Sequence, residues 1–169
     1  MFRLFSPWRF KYVTGASGPP DKKSCIFCDG AAPAADPERA ALVVARGELA
    51  YVVLNLYPYN NGHLMVTPNR HVGSLAAAND AELTEMIRLT RISEMALTEA
   101  YKPHGINVGM NLGRPAGAGI VDHVHIHLVP RWDGDTSFIT VVGETRVLPE
   151  TISDTAARLR PIFERLTRT

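Results

Sequence analysis

An α+β domain built on an antiparallel sheet is the fold class that the order of elements predicts. Short apolar runs rich in Val and Tyr recur between turn-forming residues. One long helical stretch interrupts them, and a second helical stretch lies near the end of the chain. In order, "GASGPPDKKS" (15–24) is rich in breakers, and "CDGAAPAADPERA" (28–40) reads as a loop. "ALVVARG" (41–47) and "LAYVVLN" (49–55) read as two strands with a turn at Gly47-Glu48. "LYPYNNG" is a turn, and "HLMVTP" (63–68) is a third strand stopped by Pro68. Asn79 with Glu82 three residues on has the form of a capping box and opens the long helix over 80–101. The helix's apolar residues, from Leu83 through Met86, Ile87, Leu89, Ile92 and Met95 to Leu97, form no single stripe. A helix covered on more than one side, as at a subunit interface, has that pattern. "GINVGMN" (105–111) is a fourth strand, "LGRPAGAG" (112–119) a Gly-rich loop, and "HVHIHLV" (123–129) a fifth strand. "TISDTAARLRPIFERL" (151–166) is a C-terminal helix that Pro161 is expected to kink or interrupt. Residues 1–24 are expected to form an N-terminal arm, and 25–169 a single domain.

Composition narrows the classes of function. A chain of 169 residues fits one domain with a sizeable core. Hydrophobic and charged fractions of 46% and 21% are those of a soluble globular protein. A net charge of +1 gives no reason to expect nucleic acid or a membrane as partner. No run of about 18 apolar residues could span a bilayer. The opening "MFRLFSPWRFKYV" lacks the apolar segment of a secretion signal, so the expected location is the cytoplasm. Cys25 and Cys28 form a C-x-x-C pair, too close for a loop-closing disulfide. The pair could be half a metal site or a redox motif, and no thioredoxin-like βαβ context surrounds it.

Three of the six histidines, His123, His125 and His127, alternate with Val124, Ile126 and Leu128. Period two is a strand's period, so the imidazoles share one face and the apolar residues the other. Same-face neighbours in a strand are roughly 6–7 Å apart, which puts the outer two histidines roughly 13 Å apart. That is long for three ligands on one metal. A single metal would need a bent strand; otherwise the row serves more than one task. Neither a G-x-x-x-x-G-K-[ST] loop nor a G-x-S-x-G elbow occurs, which weakens P-loop and serine-hydrolase readings.

The segment from His123 to Val129 resembles the motif of the histidine-triad family of nucleotidyl hydrolases and transferases. "SCIFCDG", "NLYPYNNGHLMVTPNRH" and "NVGMNLGRPAGAGIVDH" are similar to other segments of that family, in family order. "PWRFKYV" and "VPRWDGDTSFITVVGETRVLPE" resemble its bacterial branch that includes diadenosine tetraphosphate phosphorylases. Many members carry a Gln shortly before the triad, where this chain has "PAGAGIVDH". The resemblance implies a five-stranded sheet that dimerises through the long helix and a strand into a continuous sheet. It implies His125 as a nucleophile forming a nucleotidyl-histidine, His127 on the phosphate, His63 as a further pocket histidine and Asn55 on the ribose. It implies a structural zinc on Cys25, Cys28, His71 and His123, and no catalytic metal. Asn111 could bind phosphate through its amide or simply form a turn. Gly117 and Gly119 could let backbone N–H groups approach phosphate, or be plain turn residues. Arg131 and Trp132 could be core and rim, or line the pocket for the second half of a dinucleotide. The leading expectation is transfer of a nucleotidyl group from a dinucleoside polyphosphate to inorganic phosphate. Its rivals are transfer to water from a dinucleoside polyphosphate or a nucleoside phosphoramidate, a metal-dependent hydrolase with the triad as ligands, and a nucleotide-binding scaffold with little turnover.

Overall fold

The computed structural model describes residues 25–32, 37–143 and 148–168. The expected arm at 1–24 lies outside them. Five strands, β1 (Val43–Arg46), β2 (Ala50–Leu54), β3 (Leu64–Pro68), β4 (Gly105–Gly109) and β5 (Ile126–Arg131), form one sheet in the order β1-β2-β3-β5-β4. Every pairing is antiparallel. The helices are α1 (Ile26–Ala31), α2 (Pro37–Leu42), α3 (Asp80–Tyr101), α4 (Phe138–Val142) and α5 (Ile152–Thr167). The predicted α+β class and five-stranded sheet are therefore present.

β2 and β3 are buried along their whole length, which explains their near-continuous apolar sequence. One face of the sheet packs Val52, Leu64, Val66, Ile126 and Leu128 against Leu89 and Leu97 of α3 and Leu159 and Phe163 of α5. The other face carries a smaller cluster of Phe27, Tyr51, Val53 and Met65. The predicted capping box of α3 is formed: Asn79 Oδ1 accepts the Glu82 N–H, and Glu82 accepts the Asn79 N–H. Glu82 is buried and is neutralised by Arg70, whose Nε and Nη2 lie 2.8 and 2.7 Å from its two oxygens. Further along, Glu85 accepts the backbone N–H groups of Glu48, Leu49 and Ala50, so α3 holds the β1–β2 turn. Ile87 and Met95 remain exposed on α3, as does Val108 on the edge strand β4. They account for the helix's unfocused apolar pattern.

The structure corrects several readings of the sequence. The stretch after the cysteines contains two short helices. Pro37 is the first residue of α2, where its missing N–H costs nothing, so it starts a helix rather than breaking one. A further short helix, α4, follows β5. Pro161 does not interrupt α5. The carbonyl it leaves unpaired, that of Ala157, lies on the same exposed side of the helix, within reach of water. The fifth strand begins at Ile126, three residues later than the His123 expected. The β3–β5 register pairs Val66 with Ile126, and continuing it would set Pro68 opposite Val124. Pro68 has no N–H to give. Thr67 Oγ1 donates to the Val124 carbonyl at 3.0 Å instead, and the Val124 N–H turns to the Val72 carbonyl at 2.7 Å.

Candidate active site and metal centre

The end of the β3–β5 ladder divides the histidine row. His123 lies before the strand and is fully buried. Its Nε2–H donates to the Pro68 carbonyl at 2.8 Å, which leaves Nδ1 with a lone pair. That Nδ1 is 3.3 Å from Cys25 Sγ and 3.7 Å from Cys28 Sγ, while His71 Nδ1 is 3.3 Å from Cys28 Sγ. The four ligand atoms lie within 4.8 Å of one another. Tetrahedral zinc at ordinary bond lengths separates its ligands by roughly 3.3–3.8 Å, so the cluster is close to that arrangement as it stands. Burial, then the sulfur of Cys25, push the Cys28 thiol up to about 11. A divalent cation would supply the charge that thiolate ligation needs. The donor set fits zinc, and two thiolates with two imidazoles would close its coordination sphere.

His125 and His127 point elsewhere, so the triad does not converge on one ion. His125 Nδ1–H donates to the His123 carbonyl at 2.9 Å, leaving its Nε2 unprotonated. A second chain of bonds fixes His127. The Tyr59 N–H donates to His63 Nδ1 at 3.0 Å, so His63 carries its proton on Nε2. His63 Nε2–H donates to His127 Nδ1 at 2.9 Å, which places the His127 proton on its own Nε2. The His125 and His127 ring centroids are 4.8 Å apart. The pair thus presents a bare nitrogen beside an N–H donor, which suits attack on phosphorus with stabilisation of a phosphoryl oxygen.

Burial sets the charge of this group. Burial first, then His127 and His125, lower His63 to about 3. Burial first, then His125, lower His127 to about 4. Burial also lowers His125, opposed by its bond to the His123 carbonyl.

The remaining expected residues are distributed around these rings. Asn55 Oδ1 accepts the Tyr57 N–H at 2.9 Å, and its Nδ2 lies 3.4 Å from His63 Nδ1, so the carboxamide helps shape the turn that carries His63. That turn needs Gly62, whose φ is +72°. A side chain there would meet the Tyr101 ring at 3.0 Å. Asn111 Nδ2 donates to the Gly117 carbonyl at 3.4 Å, bracing the loop in which Gly117 has φ +95°. Gly119 is exposed on the same loop. Arg131 is not a free cation: it makes two bonds to Asp135, at 2.6 and 2.8 Å, and one to Asn107. Trp132 packs its ring edge-on to Tyr101, with centroids 6.4 Å apart. Two neighbours of the histidines were missed in the sequence. Phe27 packs on His125 with centroids 4.8 Å apart, and Tyr59 packs on His63 at 4.6 Å. The C-x-x-C spacing hides Phe27 among ligands, and nothing local marks Tyr59 apart from its proximity to Gly62-His63.

A buried imidazole cluster on an α+β sheet, with bare and protonated nitrogens side by side, is an arrangement of the histidine-triad class. Residues 36–134 match the HIT domain, and the chain belongs to that family, whose members are nucleotide hydrolases or transferases. The chain is 42% identical over 160 residues to the AP-4-A phosphorylase of Mycobacterium tuberculosis, covering 90% of this chain and 80% of that protein. It is 33% identical over 95 residues to the asymmetrical bis(5'-nucleosyl)-tetraphosphatase of Schizosaccharomyces pombe, covering 56% of this chain and 52% of that one. A zinc-bound histidine-triad family protein from Mycobacterium smegmatis superposes with a TM-score of 0.68 at 26% identity, covering 86% of this chain and 96% of the other.

The lowered values of His63 and His127 predict that neither ring titrates between about pH 5 and pH 8. Their ring signals in NMR should stay at neutral positions across that range; a midpoint near 6.5 for either would refute the assignment. The same shift makes stability pH-dependent. The unfolded chain takes up these protons as pH falls through about 6.5, before the folded one does. The contribution is complete above that pH and declines toward about 4 and 3.

Proposed function

We propose that this HIT-domain protein cleaves dinucleoside polyphosphates, such as diadenosine tetraphosphate, by nucleotidyl transfer through His125. The bare Nε2 of His125 beside the Nε2–H of His127 is the observation that carries the reading. His125 Nε2 forms a bond to the α-phosphorus while the bond from that phosphorus to the bridging oxygen breaks. The far nucleotide leaves, and His127 donates to the phosphoryl oxygens as charge accumulates. His63 keeps His127 in the donating tautomer. Asn55 offers the ribose hydroxyls its remaining lone pair on Oδ1. The acceptor then takes the nucleotidyl group from His125. Inorganic phosphate yields a nucleoside diphosphate, and water yields a monophosphate.

Phosphate is the preferred acceptor in this reading. The support is the likeness over most of the chain to a protein named AP-4-A phosphorylase. Arg131 is balanced by Asp135, and the Gly117 and Ala118 N–H groups already donate to the Arg114 and Gly113 carbonyls, so retention of the anion falls to His127, Arg114 and the Gly119 N–H. The hydrolase alternative draws on the likeness to a tetraphosphatase. No helix among the described residues is long and apolar enough to cross a membrane.

Diadenosine tetraphosphate supplied with labelled phosphate should give ADP carrying the label, together with ATP. AMP plus ATP at a rate indifferent to phosphate would reject phosphate as acceptor. His125→Ala should abolish turnover while nucleotide still binds, and near-normal turnover in that variant would overturn the covalent route.

Cys25, Cys28, His71 and His123 are proposed to hold a structural zinc, with no metal at the reacting centre. Protein purified without added metal should contain about one zinc per chain. Absence of metal, with unchanged melting of the Cys25→Ser, Cys28→Ser double variant, would refute the site.

A homodimer is proposed to form through α3 and the edge strand β4, where Ile87, Met95 and Val108 are exposed. Sedimentation should give twice the chain mass, and Val108→Glu should shift it toward the monomer. A wild-type monomer at micromolar concentration would dismiss the dimer.

A further inference from the structure

One hydrogen bond holds the nucleophilic ring, and one bond cannot hold a plane. The Nδ1–H of His125 is fixed on the His123 carbonyl at 2.9 Å. About that line the imidazole can still rock, sweeping its Nε2 sideways. Two rings limit the sweep. His127 lies on one side, with centroids 4.8 Å apart and planes at 74°. Phe27 packs against His125 as well, with centroids 4.8 Å apart and planes at 41°. Phe27 is 2% exposed, too buried to act as a platform for a nucleobase. Its ring also meets that of His123 at 5.2 Å.

Phe27 is itself anchored from three directions. It sits on α1 between Cys25 and Cys28, both of which reach the four-residue metal cluster. Its carbonyl accepts the hydroxyl of the fully buried Tyr51 at 2.6 Å. Its side chain joins Val53 and Met65 on the sheet face that carries the histidines. α1 spans only six residues, so it is kept in place by these anchors and by Arg46, which donates to the Gly30 and Ala31 carbonyls at its far end.

We propose that Phe27 is a positioning residue for His125, and that the metal cluster on either side of it holds its ring against the nucleophile. The proposal rests on the readings of His125 as nucleophile and of the cluster as a metal site. It makes the orientation of the reacting nitrogen depend on the binding of an ion that takes no part in the chemistry. A displaced nucleophile would slow bond formation while leaving nucleotide binding largely unchanged, because Phe27 does not reach the surface.

The test uses the full chain and three readouts: metal content, kcat and KM with diadenosine tetraphosphate, and the NMR signal of the His125 Nδ1–H. Phe27→Leu keeps an apolar side chain but removes the flat ring. It should bind wild-type amounts of metal, keep KM within about twofold and lose kcat by roughly 10- to 100-fold. Its His125 Nδ1–H signal should broaden or double. Tyr51→Phe removes the bond to the Phe27 carbonyl without touching the ring, and should show the same changes more weakly. Stripping metal from the wild-type protein by chelation should disturb the same signal while the far-ultraviolet circular dichroism persists. Full metal with wild-type kcat and an unchanged signal in Phe27→Leu would overturn the positioning role. An unchanged signal in stripped wild-type protein would overturn the link to the cluster. Loss of the nucleophile reading would appear separately, as turnover retained in His125→Ala, and the NMR comparison would still decide whether Phe27 holds the ring.

Discussion

His123 spends all three of its polar side-chain and carbonyl groups on different partners. Its Nε2–H is held by the Pro68 carbonyl, its Nδ1 faces the two cysteines, and its carbonyl accepts the Nδ1–H of His125. Each commitment depends on the others. The bond to Pro68 decides which nitrogen can face the cysteines. The backbone turn that brings the side chain to them aims the carbonyl at His125. The arrangement is possible because the β3–β5 ladder stops at Pro68: a paired His123 would have its carbonyl directed along the sheet. A proline at the end of one strand thus divides a uniform histidine row into one imidazole that faces the cysteines and two that pack side by side.

The pair owes its character to burial. Exposed histidines near neutral pH would be partly protonated, and mutual repulsion would separate them. Here His63 and His125 are almost completely buried, and the charged forms of His63, His125 and His127 are all disfavoured. Neutral imidazoles can then accept as well as donate, and a chain of hydrogen bonds replaces electrostatic repulsion. The Tyr59 backbone N–H, which cannot lose its proton, sets the direction of that chain. The whole sequence of tautomers therefore originates in the main chain of a turn.

Most of the scaffold was legible in the sequence because it is local. The Val- and Tyr-rich run of β2, the Asn79–Glu82 box and the helical stretch of α5 each act within a few residues. The segment carrying the triad was also legible, since alternation requires an extended chain. Its pairing was not: that depends on what Pro68 offers from a distant strand. Pro37 was misread because proline serves equally as a breaker and as a first helical residue. Phe27 could not be assigned to His125 because their contact joins the two ends of a long separation. Arg131 stayed open between rim and pocket because its pairing with Asp135, four residues on, is set by the geometry of the turn between them.

The carboxylate of Glu85 gathers three successive amides from a turn 35 to 37 residues earlier in the chain. Burial works against its charge, but these amides and Arg88 hold the carboxyl below its usual range. A surface hairpin would ordinarily open on its own. This one has its amide protons tied to the second turn of α3, so local opening of the turn must break bonds to a charged group. The hairpin and helix are thereby joined in cooperativity. The amide hydrogen of Leu49, an exposed residue, should therefore exchange with solvent on the schedule of the helix that holds it.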